Sequence, residues 1–232
     1  MISVIIPTYN EEAQIQATIQ KLFQNDTGSL IKEIIITDGG STDGTIAAAS
    51  NEKVIVVTSP KKGRAAQMNY GASMATADIL YFIHADTIPP DHFSGDILQA
   101  TDEGCGAGCY MLSFDHDHWF LKTLCWFTRF DIDAFRFGDQ SLFVTKNSFL
   151  KTNGFNESRI VMEDQEFIQR LKKLVSFTII KKPVLTSARK YIQNGIYKTQ
   201  FIFFIIYFMY RLGYSQERMV ATYKNWINES KI

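Results

Sequence analysis

An α/β fold, with a mostly parallel central sheet flanked by helices, is predicted by two patterns in the first part of the chain. Short apolar runs at 2–6, 33–37, 54–58 and 79–83 alternate with segments of helical periodicity at 13–23 and 64–75. Polar clusters rich in Gly, Asp, Ser and Thr fall just after the runs, where an open α/β sheet places its ligand crevice.

Each element has a local reason. Pro7 stops the first run, and Ile15, Ile19, Leu22 and Phe23 then recur at helical intervals. DGGSTDG at 38–44 breaks the second run, and Ser41, Thr42 and Asp43 can cap a short helix before the β-branched run 54–58. Beyond Thr87 the alternation loosens. A helix is expected at 91–100, followed by an apolar stretch, an aromatic-rich segment at 119–137 and a strand at 141–145. Phe167, Ile168, Leu171 and Leu174 give 163–174 a helical period, with carboxylates in its first turn where the helix dipole favours them. A strand near 177–180 and two helices complete the chain.

At 232 residues the chain is expected to form one domain, 1–232, without repeats or linkers. Its 24 basic and 24 acidic residues cancel, which disfavours nucleic acid as a partner. Three cysteines are an odd number in a chain large enough to bury a core, so a reducing, cytoplasmic setting is expected. Cys105 and Cys109 lack the second Cys or His pair that a tetrahedral metal site needs. The N-terminus has no basic leader and reads as a first strand rather than a secretory signal. The apolar run 201–210 is well short of the roughly 20 residues of a membrane-spanning helix.

The Gly-rich segment 38–45 is neither familiar nucleotide loop. Thr45 stands where a P-loop needs lysine, and PTYNEE follows the first strand where a dinucleotide fingerprint should be. Asp38 ends a buried run at the crevice and can offer two acceptors to a base N–H or ribose hydroxyls; Asp43 reads better as a helix cap. His84 and Asp86 occupy alternate positions at the end of the fourth run. An oxygen ligand there suits Mg²⁺ or Mn²⁺, and the alternative is a capping Asp86 with a core His84. On position alone, Glu163 and Asp164 complement a helix dipole.

Taken together, PTYNEE at 7–12, DGGSTDGT at 38–45, HAD at 84–86 and MED at 162–164 resemble the inverting glycosyltransferases of family 2, with the GT-A fold. The similarity covers 2–174, and GRAAQMN, HADT, GDQ and SARKY resemble the bacterial transferase 2, rSAM/selenodomain-associated subgroup. The resemblance implies a nucleotide-sugar-binding half at 1–90, an acceptor and catalytic half at 91–190, and C-terminal helices at 191–232. It puts Pro7, Thr8, Tyr9 and Glu11 around the nucleoside, with Asp38 at the base or ribose. Arg64 and Asn69 face the diphosphate, and Ala85 and Asp86 complete the donor site. Asp86, with His84 as a second candidate, would hold Mn²⁺ or Mg²⁺. Asp164 is the implied general base, with Glu163 beside it, and Asp139, Gln140 and Arg189 fall to the acceptor or diphosphate.

The implied activity is metal-dependent, hexosyl-type transfer from a nucleotide diphospho-sugar, commonly a UDP-sugar, to an acceptor hydroxyl. Gly39 and His84 replace carboxylates common in the family, which leaves one certain anionic metal ligand. Arg189 stands without the Gln and Trp of the processive QxxRW signature, so non-processive transfer is expected. A non-catalytic nucleotide-sugar sensor would keep Asp38 and Asp86 but have no need of Asp164. The 196–211 helix reads by length as core or a homodimer contact. The sharper reading is a peripheral membrane surface, at the inner face of the membrane, serving a lipid-linked or hydrophobic acceptor.

Overall fold

Eight strands join one sheet in the computed structural model, which describes residues 1–136 and 138–228. Phe137, the end of the aromatic-rich segment, and 229–232, the end of the expected C-terminal helical region, lie outside the described residues. Strands β1 (Ile2–Thr8), β2 (Ile31–Asp38), β3 (Val54–Thr58) and β4 (Ile79–Phe82) pair in parallel in the order β3-β2-β1-β4. Register sets Thr8 opposite Asp38 and Ile5 opposite Phe82, so the ends of these strands open on one crevice.

Helices cover this quartet because its central strands are apolar on both faces. On one side α1 (Glu12–Asn25) buries Ile15, Ile19 and Leu22 against Val4, Ile6 and Ile34. On the other, α3 (Arg64–Met74) lays Ala65, Met68 and Ala72 over Ile5, Ile35 and Leu80. The approach of α3 is close. A Cβ at Gly71 would sit 2.6 Å from Ile5 Cγ2 and 3.0 Å from Thr37 Cγ2, so this contact requires glycine. The short α2 (Thr45–Ala49) begins where Asp43 accepts the Thr45 N–H at 3.0 Å.

The second half extends the sheet. After β5 (Thr87–Ile88) and α4 (Phe93–Asp102), the apolar stretch that lacked a clear period forms β6 (Ala107–Phe114). Helix α5 (Trp119–Phe127) lies in the aromatic segment, and β7 (Leu142–Thr145) pairs antiparallel with both β4 and β6. Helices α6 (Lys146–Lys151) and α7 (Glu163–Lys172) follow. The expected strand near 177–180 is longer, β8 (Phe177–Thr186), parallel to β6. A register shift there passes from Ile180 to Pro183, a device that admits a residue without an N–H. The two expected terminal helices are three: α8 (Arg189–Asn194), α9 (Ile196–Arg211) and α10 (Gln216–Trp226), with the first break at Gly195, φ 88°. Among the described residues no helix is long and apolar enough to cross a membrane.

Candidate active site

A cleft of about 490 Å³ opens beyond the ends of β1, β2 and β4. Of the expected residues, Pro7, Thr8, Tyr9, Glu11, Arg64, His84, Ala85, Asp86, Asp139 and Arg189 line it.

Its floor is built by two loops laced together. Asn10 takes a left-handed conformation, φ 54°, and its N–H donates to Ser41 Oγ at 2.9 Å while its Oδ1 accepts the Thr42 N–H at 2.9 Å. The Glu11 N–H donates to Thr45 Oγ1 at 2.8 Å, and Glu12 accepts the Gly44 N–H at 3.0 Å. Gln67, on α3, donates to the carbonyls of Thr8 and Thr37, each at 2.7 Å, and so ties the ends of β1 and β2 together. PTYNEE and DGGSTDG are therefore one structural unit.

Asp38 corrects an expectation. Its side chain is fully buried, and its carboxylate accepts from Thr8 Oγ1 (3.1 Å), the N–H groups of Gly40 (2.8 Å) and Ser41 (2.7 Å), and Ser41 Oγ. Four donors fill four lone-pair sites, leaving none to offer a base or ribose. Asp38 shapes the loop instead.

His84 and Asp86 lie in the turn beyond β4 rather than in the strand, and both still face the cleft. His84 Nδ1 is 3.0 Å from Asp139 Oδ1, which leaves only Nε2 for any other ligand. Burial works against the imidazolium, but Asp139 outweighs it and the His84 pKa is raised. Withdrawal from solvent likewise opposes ionisation of Asp139, yet the His84 hydrogen bond and charge, with Lys190 and Arg64, hold its pKa at about 2.

The Asp86 carboxylate is the unbalanced charge. Burial raises its pKa, and Asp139 and Glu11 raise it further against the pull of His84 and Arg189. Arg189 Nη2 stands 3.8 Å from the carboxylate, and among the described residues no side-chain hydrogen bond reaches it. Arg189, at the start of α8, also stands 3.4 Å from Glu11 Oε2. A divalent cation fits this donor set, because Mg²⁺ and Mn²⁺ commonly take one or two carboxylates and complete their shell with phosphate oxygens and water. Among the described residues no group of three His, Cys, Asp or Glu side chains would hold a metal unaided.

Glu163 and Asp164 open α7 after Met162 at φ 66°. Arg64 Nη1 lies 3.0 Å from Glu163 Oε1 and 3.8 Å from Asp164 Oδ2. Burial raises both carboxyl pKa values against the pull of Arg64, and it prevails over the helix dipole, which alone would lower them. Glu163 is buried as the partner of Arg64. Neither Glu163 nor Asp164 is among the residues that line the cleft; Asp164 lies just behind that lining, 3.8 Å from Arg64 and against the Gly138–Gln140 turn. A Cβ at Gly138 would meet its Oδ2 at 2.0 Å and His84 Cε1 at 3.1 Å.

Two further expectations are corrected. Asn69 faces away from the cleft: its Nδ2 donates to the Phe155 carbonyl at 2.9 Å and its Oδ1 accepts the Phe155 N–H at 2.8 Å, anchoring the 153–157 loop. Gln140 is buried, donating to the Phe135 carbonyl and accepting from Arg136. Arg136 itself drew no attention in the sequence. Also buried, it donates to the carbonyls of Thr128 (2.6 Å) and Phe130 and contacts Cys109 Sγ at 3.6 Å, clamping the aromatic segment to the turn that carries Asp139. Lys62, Phe114, Lys190, Tyr191 and Phe203 also line the cleft without having been singled out for it.

With this geometry in place, the match of residues 3–156 to the profile of Glycosyl transferase family 2 is decisive: the chain belongs to that family. An undecaprenyl-phosphate 4-deoxy-4-formamido-L-arabinose transferase of Aeromonas hydrophila is 30% identical over 131 residues, covering 53% of this chain and 40% of that protein. An uncharacterized glycosyltransferase of Haemophilus influenzae is 25% identical, over 78% of this chain and 65% of that protein. The chain thus spans less than two thirds of either relative. Among solved structures, S. aureus TarS in complex with UDP has a TM-score of 0.68 at 16% identity, over 80% of this chain and 60% of that one. Glucosyl-3-phosphoglycerate synthase from Mycobacterium tuberculosis, in complex with Mn²⁺, UDP and phosphoglyceric acid, has a TM-score of 0.66 at 17% identity, over 92% and 79%. These likenesses show the GT-A transferase fold.

Proposed function

We propose that this chain is a non-processive, inverting glycosyltransferase that moves a sugar from a nucleoside diphospho-sugar to an acceptor hydroxyl. The observation that carries this reading is that Asp86, which lines the cleft, and Asp164, which stands 3.8 Å from the cleft-lining Arg64, are far apart in sequence yet share His84 and Asp139 as charged neighbours. A binding-only sensor would have no use for Asp164 there.

In the proposed reaction the acceptor oxygen attacks the anomeric carbon from the face opposite the diphosphate. Its proton passes to Asp164, the new glycosidic C–O bond forms, and the bond from the anomeric carbon to the phosphate oxygen breaks. Burial supports the choice of Asp164, since a carboxylate kept above its ordinary pKa is a stronger base. Glu163 orients Arg64 and keeps that cation shared between the two acids. Arg64, Lys62 and Arg189 line the cleft as counter-charges for the departing nucleoside diphosphate. Asp86 would hold a Mn²⁺ or Mg²⁺ ion together with the donor's phosphates, and such an ion neutralises charge developing on the leaving group. UDP in the TarS complex and in the mycobacterial synthase complex supports a UDP-sugar as the first donor to try, although a mannosyltransferase of Pyrobaculum calidifontis with a similar fold is bound to GDP-Man and Mn²⁺.

A thermal-shift panel of UDP-, GDP- and TDP-sugars, each with and without Mn²⁺, tests the donor site, since a ligand specific to the folded state raises Tm. One donor class should raise Tm more with Mn²⁺ present, and Asp86→Ala should abolish that increment. If none of the panel binds, the proposal fails.

A further inference from the structure

We infer that the outer faces of α5 and α9 form a docking surface for an anionic lipid bilayer. The inference does not rest on sugar transfer.

Helix α9 has two apolar faces where a surface helix normally has one. Ile202 and Ile206 are buried with Met219 and Tyr223 of α10. On the opposite side Tyr197, Phe201, Phe208 and Leu212 fall at helical intervals along one stripe, with Phe201 64% exposed, Phe208 60% and Leu212 74%. Trp119 of α5, also 64% exposed, continues the stripe, its ring centroid 6.4 Å from that of Tyr197. Trp126 and Phe130 extend the exposed side of α5, their centroids 4.9 Å apart. Single exposed apolar residues are ordinary; a stripe of them along one helix face that meets exposed Trp119 is not.

Charge identifies what covers it. The chain as a whole is balanced, yet no Asp or Glu occurs anywhere from 167 to 216, a stretch that contains α8 and α9 and carries only Lys and Arg as charged residues. Lys198 and Arg211 lie within and at the end of α9; around α5, Lys122 and Arg129 are offset by Asp115, Asp117, Asp131 and Asp133, so the basic excess belongs to the α9 side of the face. Lys122 does meet Asp117 at 2.7 Å, but both are solvent-exposed, where such a pair contributes little. Exposed Trp and Tyr beside aliphatic side chains, with basic residues around them, match the chemistry of a bilayer interface with anionic headgroups. A second copy seated on the same face would set these basic residues against their own equivalents. With 16 residues, α9 is too short to span a bilayer and suited to lie on one. Phe203 of α9 and Tyr191 of the preceding α8 line the cleft, so the docked face adjoins the cleft wall.

Co-sedimentation of the full chain with vesicles, without any sugar nucleotide, tests this directly. Binding is expected to vesicles of phosphatidylglycerol with phosphatidylcholine, to weaken in high salt, and to be much lower for phosphatidylcholine alone. The double change Phe201→Ser with Phe208→Ser should cut partitioning by about tenfold or more. Lys198→Glu should cut it by about fivefold. Because all three side chains are solvent-exposed and none lines the cleft, the thermal shift produced by a donor sugar nucleotide should survive in both variants. Absence of wild-type binding to the anionic vesicles overturns the inference, as does undiminished binding by both variants. A concentration-dependent dimer in analytical ultracentrifugation, dispersed by the two Phe→Ser changes, would assign the face to a second copy and overturn it equally.

Discussion

On the side of the cleft proposed to hold the donor, formed by the ends of β1, β2 and β4, the wall is made largely of backbone. The register of β1, β2 and β4 fixes it, Gln67 ties two strand ends together, and Asp38 spends its carboxylate inside a turn. The second wall, with Asp139 in the lining and Asp164 behind it, is held by side chains from distant parts of the chain: Arg64 on Glu163, His84 on Asp139, Arg136 on Gln140. Strand ladders do not titrate, whereas ion pairs and buried carboxyls do. The first wall should therefore be sensitive to added volume and indifferent to pH, and the second should be sensitive to lost charge or lost donors.

The largest effect should come from the second wall. Asp164→Asn is expected to lower turnover by ~10²–10⁴-fold while the donor-induced thermal shift survives; turnover close to wild type would remove Asp164 from the mechanism. Next is Arg136→Met, which strips donors from buried acceptors at Gln140, Thr128 and Phe130. We expect a loss of about 3 kcal/mol or more in urea unfolding, because each buried polar group left unpaired costs about 1–3 kcal/mol. On the donor wall, Gly71→Ala should cost about 1–3 kcal/mol by overpacking against Ile5 and Thr37. Unchanged stability there would mean that the wall yields more easily than its spacing suggests.

The smallest effect is a displacement of the pH profile. With the Asp164 pKa raised by burial, kcat/KM should climb with pH along a limb above the ordinary carboxylate range of about 4. Glu163→Gln hands Arg64 to Asp164 alone and should move that limb to lower pH. Stability has the opposite slope. A carboxyl whose folded pKa is raised binds more protons folded than unfolded, so its contribution is most favourable below the unfolded value and declines as pH rises through the folded one. Tm measured against pH should show that decline for the wild type and less of it for Glu163→Gln.

The two walls also differ in how far the sequence reveals them. Alternating period and turn chemistry lay out β1 to β4 and the loops after them, because each of those elements is specified locally. Strand β6 carries Gly108, with Gly106 just before its start, and is recognised only by its partners. A Cβ at Gly108 would lie 2.5 Å from the Phe143 ring and 2.6 Å from the Thr178 carbonyl, a close approach that no window of sequence displays. Motif resemblance singles out Asp86 and Arg189, which line the cleft, and Asp164, which lies behind its lining. It misassigns Asn69, Gln140 and the acceptors of Asp38, since a polar side chain looks the same in sequence whether it serves a ligand or its own backbone. Arg136 leaves no trace because two of its partners are main-chain carbonyls and the others are side chains that no motif links to it.

Gly138 has a consequence for reading other sequences. Its main chain lies so near Asp164 that any side chain there would have to push the carboxylate aside. A chain that aligns an alanine or larger residue at this position, while keeping both neighbouring acids, should hold the acid in a different direction. The smallest amino acid here is thus a practical marker for sorting candidate enzymes that share this arrangement from look-alikes that retain only the more conspicuous motifs.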